Sequence, residues 1–191
     1  VAITGREADW GTMTGVRPLK IALSLYFKSG SIDQMRRDMK ETFLVSDKKL
    51  ELLTEIAEYQ LEHLKGYAMD KLGVYIGIPF CPTRCAYCAF ASNVAGEDAI
   101  ETYLQDLLKE ISYMGQLIRE HGEEIESLYI GGGTPTTLNE EQLGRLISCV
   151  EKELGVNPEN IEFTIEAGRP DTITPEKLAV MKEKNISRIS I

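Results

Sequence analysis

Three cysteines fall within eight residues, in Gly77-Ile78-Pro79-Phe80-Cys81-Pro82-Thr83-Arg84-Cys85-Ala86-Tyr87-Cys88, and give the pattern Cys-x-x-x-Cys-x-x-Cys. Thiolate sulfur is a soft, strongly donating ligand, and a short loop can wrap such donors around an iron–sulfur cubane. A fully ligated cubane takes four cysteines. The fourth in this chain, Cys149, lies in the amphipathic run Leu143, Leu146, Ile147 and Val150, where it reads as a buried thiol. Three ligands leave one iron open, and an open metal position marks a reactive rather than a structural site; such an iron can chelate an amine and a carboxylate. The competing metal is zinc on three cysteines and a histidine. The two histidines, His63 and His121, sit in and at the end of helical runs without ligand-like spacing and read as surface residues. Three core cysteines without metal is a further reading, opposed by the proline and arginine between them.

Two other stretches carry chemistry. Gly131-Gly132-Gly133-Thr134-Pro135-Thr136 follows an apolar run, and consecutive glycines let backbone approach a ligand closely and reach conformations closed to other residues. A phosphate-binding loop needs the Gly-Lys-Ser/Thr ending that is missing here, and a plain tight turn is the alternative. Glu166 ends the apolar run Ile161 to Ile165. A carboxylate there would face a ligand's ammonium group, or form a strand-end salt bridge.

The elements that must position these residues follow from periodicity. Up to about residue 70 the chain reads as helical. One helix runs from Lys20 to Lys28, after Pro18 at a first-turn position. A second opens at a capping box, Ser31-Ile32-Asp33-Gln34. A third, capped by Ser46-Asp47, carries Leu50, Leu53, Ile56, Ala57, Leu61 and Leu64 at helical spacing and ends at Gly66. From residue 73, short apolar runs alternate with longer amphipathic ones, the pattern of parallel strands joined by helical crossovers. The expected strands are Val74 to Ile78, Ser127 to Ile130, Ile161 to Ile165 and Ser187 to Ile191. The helices between them are Glu97 to Arg119, Glu140 to Leu154 and Pro175 to Lys184. Every unusual loop follows the C-terminal end of a strand, the face on which parallel α/β barrels assemble their sites.

Acidic residues outnumber basic ones, 30 to 21, so the chain as a whole lacks the electrostatic footprint that draws nucleic acid or anionic lipid. No apolar run reaches membrane-spanning length, and the first residues lack the layout of a secretory signal. With three cysteines packed as ligands rather than spread as a disulfide framework, a cytoplasmic location is expected. The chain begins without methionine and ends inside an expected strand, and so reads as a fragment.

The stretch from Tyr75 to Cys88, with Gly131 to Thr136 and Thr164-Ile165-Glu166-Ala167, resembles the radical S-adenosylmethionine superfamily, and within it the oxygen-independent coproporphyrinogen III oxidases, HemZ-like branch. Trp10-Gly11 and Thr14-Gly15-Val16-Arg17-Pro18 are similar to that branch as well. The resemblance implies an α/β fold: a partial parallel (β/α) barrel truncated after its fourth strand, over residues 71–191, preceded by a mostly helical domain over 1–70. It implies a [4Fe–4S] cluster on Cys81, Cys85 and Cys88, and S-adenosylmethionine contacted by Tyr75, Tyr87, Gly132, Gly133, Thr134 and Glu166. Ordinary packing is the other reading of the two tyrosines. The implied activity is oxidative decarboxylation of coproporphyrinogen III to protoporphyrinogen IX in haem biosynthesis, driven by an electron donor such as flavodoxin or ferredoxin. Arg169 would pair with a substrate propionate or, alternatively, close a loop ion pair with Asp171. Two positions depart from the oxidase pattern. Ala89-Phe90 stands where the oxidases carry a further cysteine, an absence typical of relatives that bind and deliver haem, and Gly77 replaces a frequent histidine. A haem carrier is therefore the second function implied.

Overall fold

The structure, a computed structural model, describes residues 8–13, 17–63 and 71–191. The expectations placed on Thr14-Gly15-Val16, Leu64 and Gly66 fall outside them. The chain divides into two compact units, Val1–Ala68 and Met69–Ile191.

The first unit holds three helices: α1 (Pro18–Ser29), α2 (Ile32–Glu41) and α3 (Asp47–His63). Pro18 opens α1, and Gly30 closes it in the left-handed region at φ 68°, its N–H donating to Tyr26 O. Only half of the expected capping box at α2 forms. Ser31 Oγ accepts from Gln34 N at 3.3 Å, but the Gln34 side chain donates to Asp38 Oδ1 at 2.8 Å and accepts from Arg37. Charged partners one turn ahead outcompete the backbone N–H behind it. In α3 the expected stripe turns Leu50, Leu53 and Ala57 inward onto Met35 and Met39, whereas Ile56 is exposed.

In the second unit, four parallel strands lie in sequence order, β1 (Leu72–Ile78), β2 (Ile125–Gly132), β3 (Glu162–Glu166) and β4 (Arg188–Ser190). They are linked by α4 (Glu97–His121), α5 (Glu140–Leu154) and α6 (Pro175–Glu183). Side chains alternate across the sheet. Ile76, Ile78, Leu128, Ile130, Phe163 and Ile165 form one buried face, packed with Leu104, Leu107, Leu143, Leu146 and Ile147 from the helices. The other face carries the row Tyr75, Tyr129, Thr164 and Arg188, paired across successive strands, and Glu166 beside Ser190 one row on. Cys149 is half-buried at the edge of the core, its thiol against Leu108 O at 3.7 Å, and burial raises its pKa.

Each crossover helix is set by local signals. An unpredicted capping box starts α5, with Asn139 and Gln142 exchanging side chain to backbone bonds of 2.8 and 3.1 Å. Gly122 ends α4 at φ 68°. Mid-helix Gly115 has a different purpose: a Cβ there would run into the Glu153 carbonyl at the end of α5, the same carbonyl to which Arg119 Nη1 donates. Helix propensity alone predicts that Gly115→Ala stabilises the chain by about 1 kcal/mol. The close approach of α5 predicts the opposite sign, a loss of about 1–3 kcal/mol, to be read as a lower urea unfolding midpoint.

Candidate functional site

The site grows from hydrogen bonding that continues past the strand ends. Beyond β1 and β2, Gly133 N–H donates to Ile78 O and Thr134 N–H to Phe80 O, both at 2.8 Å. On the other side of the same segment, Cys81 N–H donates to Asn93 O at 3.0 Å and Asn93 N–H to Pro79 O at 2.8 Å, a parallel bridge centred on Phe80 and Asn93. The loop from Cys81 to Ser92 is thereby closed at its neck and fastened to the glycine segment. Between residues 81 and 91 the three cysteines are half-buried and every other residue is exposed.

Cys81 Sγ lies 3.3 Å from Thr134 Oγ1, Cys85 Sγ accepts from Arg169 Nη1 at 3.6 Å, and Cys88 N–H donates to Cys85 O at 3.0 Å. Among the described residues no three Cys, His, Asp or Glu side chains converge closely enough to hold one ion. A cubane takes each thiolate at a different corner, and so needs three donors on one loop without drawing them to one point. His121 and His63 are exposed at helix ends, each bonded to a carbonyl of its own helix. The donor set, three free half-buried thiols on one loop with no histidine, fits an iron–sulfur cluster.

The strand before the glycine motif runs further than expected. β2 does not stop at Ile130: Gly131 and Gly132 continue the ladder opposite Gly77 and Ile78. Glycines are poor strand formers, which hides the extension in the sequence. Gly132 takes φ 116°, open to few other residues, and a Cβ on Gly133 would stand 2.6 Å from Phe80 O and 3.0 Å from Cys81 Sγ. The missing side chains thus admit the chain's own cysteine loop. Thr134 is buried, with its N–H on Phe80 and its hydroxyl on Cys81.

At the end of β3, both Glu166 oxygens are engaged. Tyr129 OH donates to Oε1 at 2.7 Å and Gly132 N–H to Oε2 at 3.2 Å. Tyr75 stacks on Tyr129 with centroids 5.8 Å apart. The hydrogen bond to Glu166, then desolvation, push the Tyr129 phenol pKa up; for Tyr75 burial comes first and the Glu166 charge second. Tyr129 was not singled out in the sequence, yet its place two residues before Gly131, on the same strand face, carries the signal. Tyr87 is 89% exposed and stands beside the Cys85 thiol, whose hydrogen bond and charge raise its pKa.

Arg169 resolves the two readings offered for it in favour of the ion pair. Its Nε and Nη2 donate to the two Asp171 oxygens at 3.0 and 2.7 Å, and Nη1 donates to Thr83 O at 3.0 Å as well as to Cys85. Four of about five N–H groups are taken, so no free fork remains for a propionate. A buried knot supports this turn: Thr136 and Thr172 hydroxyls meet at 2.6 Å, and Lys177 Nζ donates to both of their carbonyls. Burial lowers the Lys177 pKa.

Residues 75–191 match the profile of the Radical SAM superfamily. The chain is 38% identical to the oxygen-independent coproporphyrinogen-III oxidase-like protein HemZ of Bacillus subtilis, over 100% of this chain and 39% of that protein. It is 36% identical to the heme chaperone HemW of Bacillus subtilis, over 61% of this chain and 30% of that one. Among solved structures, coproporphyrinogen III oxidase (HemN) from Escherichia coli, a radical SAM enzyme, superposes with a TM-score of 0.56 at 28% identity, covering 69% of this chain and 30% of the oxidase. The chain spans well under half the length of each of these relatives.

The contact between Gly133 and the neck generates a test. Gly133→Ala must push Phe80 and Cys81 aside, so iron and sulfide incorporation on anaerobic reconstitution should fall severalfold. Wild-type loading in that variant would show that the neck tolerates the displacement and that its geometry does not govern the cluster loop.

Proposed function

The chain belongs to the Radical SAM superfamily, whose members use a [4Fe–4S] cluster and S-adenosylmethionine, and from that premise we propose that it forms the cofactor-binding part of an oxidoreductase acting on a tetrapyrrole. Its residues 1–70 make a helical domain, and 71–191 the N-terminal part of the catalytic barrel. Cys81, Cys85 and Cys88 hold the cluster. The observation that carries the reading is the loop in which, from residue 81 to 91, these cysteines alone are half-buried, fastened at its neck to the glycine segment. When bound, the cluster supplies the electron that cleaves S-adenosylmethionine to methionine and a 5′-deoxyadenosyl radical.

The remaining chemistry is what this chain's residues do for the ligands. Tyr129 and the Gly132 N–H fix the Glu166 carboxylate with one donor on each oxygen. Its other lone pairs remain to accept from the cofactor's ammonium. Gly132, Gly133 and Thr134 line the approach beside the cluster loop, Tyr87 offers an exposed ring to the adenine, and Tyr75 flanks the carboxylate. The proposed substrate is coproporphyrinogen III. Each reacting propionate gives a hydrogen atom to the 5′-deoxyadenosyl radical and one electron to an external one-electron acceptor, and releases CO₂ to become a vinyl group, with a flavodoxin or ferredoxin feeding the cluster. The likeness to HemZ and HemN supports this substrate class. Among the described residues no helix is long and apolar enough to cross a membrane, and a cytoplasmic site of action is proposed.

A second reading has its own observation. Phe90, 72% exposed, stands where the oxidases carry an additional cysteine, and the chain is also similar to a heme chaperone. In that reading the protein binds and delivers haem.

Anaerobic incubation of the full-length protein with dithionite, S-adenosylmethionine and coproporphyrinogen III separates the two. Vinyl products with matching 5′-deoxyadenosine are expected, falling to background when Cys81, Cys85 and Cys88 are changed to serine. Haem binding without tetrapyrrole turnover would establish the carrier instead. Tyr129→Phe removes one of the two donors on Glu166 and should weaken S-adenosylmethionine binding severalfold, on the order of 1 kcal/mol, in equilibrium dialysis against the labelled cofactor.

A further inference from the structure

Arg169 is held at three places. Thr172 donates to the Arg169 carbonyl through both its N–H (3.0 Å) and its hydroxyl (2.8 Å), fixing the backbone. Asp171 takes the Nε and Nη2 edge of the guanidinium in a two-point grip. The third nitrogen is left aimed at the cysteine loop, on Thr83 O at 3.0 Å and Cys85 Sγ at 3.6 Å, an ordinary length for a sulfur acceptor. The Arg169 side chain is only 21% exposed. A rigid, permanently charged donor is therefore set against one ligand sulfur by a loop 84 residues away in sequence.

We propose that Arg169, oriented by Asp171, is a positioning residue that hydrogen-bonds the Cys85 sulfur and favours the reduced state of the cluster. The inference rests on the reading of Cys81, Cys85 and Cys88 as cluster ligands. Reduction adds one negative charge that delocalises onto the ligand sulfurs. A charge-assisted donor at a sulfur stabilises that added charge more than it stabilises the oxidised state, and hydrogen bonds to sulfur are a principal means by which a protein sets a cluster's potential. Asp171 orients the fork but also carries a compensating charge, so the geometry of the donor rather than net charge does the tuning. A loop staple alone would hold the fold and leave the potential untouched.

The test is an anaerobic redox titration, followed by electron paramagnetic resonance, on the reconstituted full-length protein after iron content and circular dichroism have been matched. With Arg169→Gln, the reduced to oxidised ratio at the wild-type midpoint should fall about tenfold, ~59 mV for a one-electron couple. Arg169→Gln combined with Asp171→Asn should shift the same way by less, because no unpaired carboxylate is left near the sulfur. Wild-type midpoints in both fully loaded variants would overturn the proposal. If Arg169→Gln does not retain a full cluster, Arg169→Lys decides: its ammonium keeps the charge but lacks the fork needed to hold Asp171, Thr83 and Cys85 together, so a severalfold fall is expected and an unchanged ratio overturns the idea. A wild-type protein that takes up no cluster, or a triple cysteine to serine variant that keeps one, sinks the ligand assignment and this proposal with it.

Discussion

Everything at the site depends on backbone hydrogen bonds that outlast the strands. A parallel ladder ordinarily ends where its strands diverge, leaving N–H and C=O groups to find other partners. Here the segment from Ile78 to Cys81 is bonded on one side by Gly133 and Thr134 and on the other by Asn93. The cysteine loop consequently starts from a fixed origin. Its first thiol is pressed against Thr134, and the close approach leaves no room for a Cβ at Gly133. Apart from its cysteines the loop is exposed from residue 82 to 91, so its hold on the fold comes from this neck and from the Arg169 bonds to Thr83 and Cys85.

A second layer holds the loops after β2 and β3 to each other. The meeting of Thr136 and Thr172 is buried, and the Lys177 ammonium is used to satisfy two loop carbonyls instead of a carboxylate. Burying an ammonium is costly unless it is hydrogen-bonded, and the lowered Lys177 pKa records that cost. In return the two loops cannot move independently.

The fold was legible where periodicity is strong. The four strands and three crossover helices of residues 71–191 fall within a few residues of their expected places, because apolar runs of strand and helix length alternate without interruption. Spacing singles out three thiols, and the structure sets them on one loop as half-buried residues. What could not be read is what depends on contacts between distant segments. Glycine's weak strand preference masked the extension of β2 through Gly132. Tyr129 looks like any strand tyrosine until Glu166 is brought beneath its hydroxyl. Ser31 and Gln34 have the letters of a reciprocal cap, yet Asp38 and Arg37 claimed the glutamine side chain. A motif in sequence names the groups available for bonding, and competition among neighbours decides which bonds form.

Arg169 illustrates the same point with a functional consequence. In sequence, Gly168-Arg169-Pro170-Asp171 offers a cation at a strand end, which suits a carboxylate-bearing substrate as readily as a neighbouring acid. The 3₁₀ turn of Pro170–Thr172 settles the choice, since it folds Asp171 back under the guanidinium and fixes the Arg169 carbonyl by Thr172. With both edges of the fork specified, the remaining nitrogen has one direction left, toward Thr83 and Cys85. Opposite charges on one strand-end segment thus divide the work, the carboxylate bonded to Tyr129 and Gly132 and the guanidinium to Thr83 and Cys85.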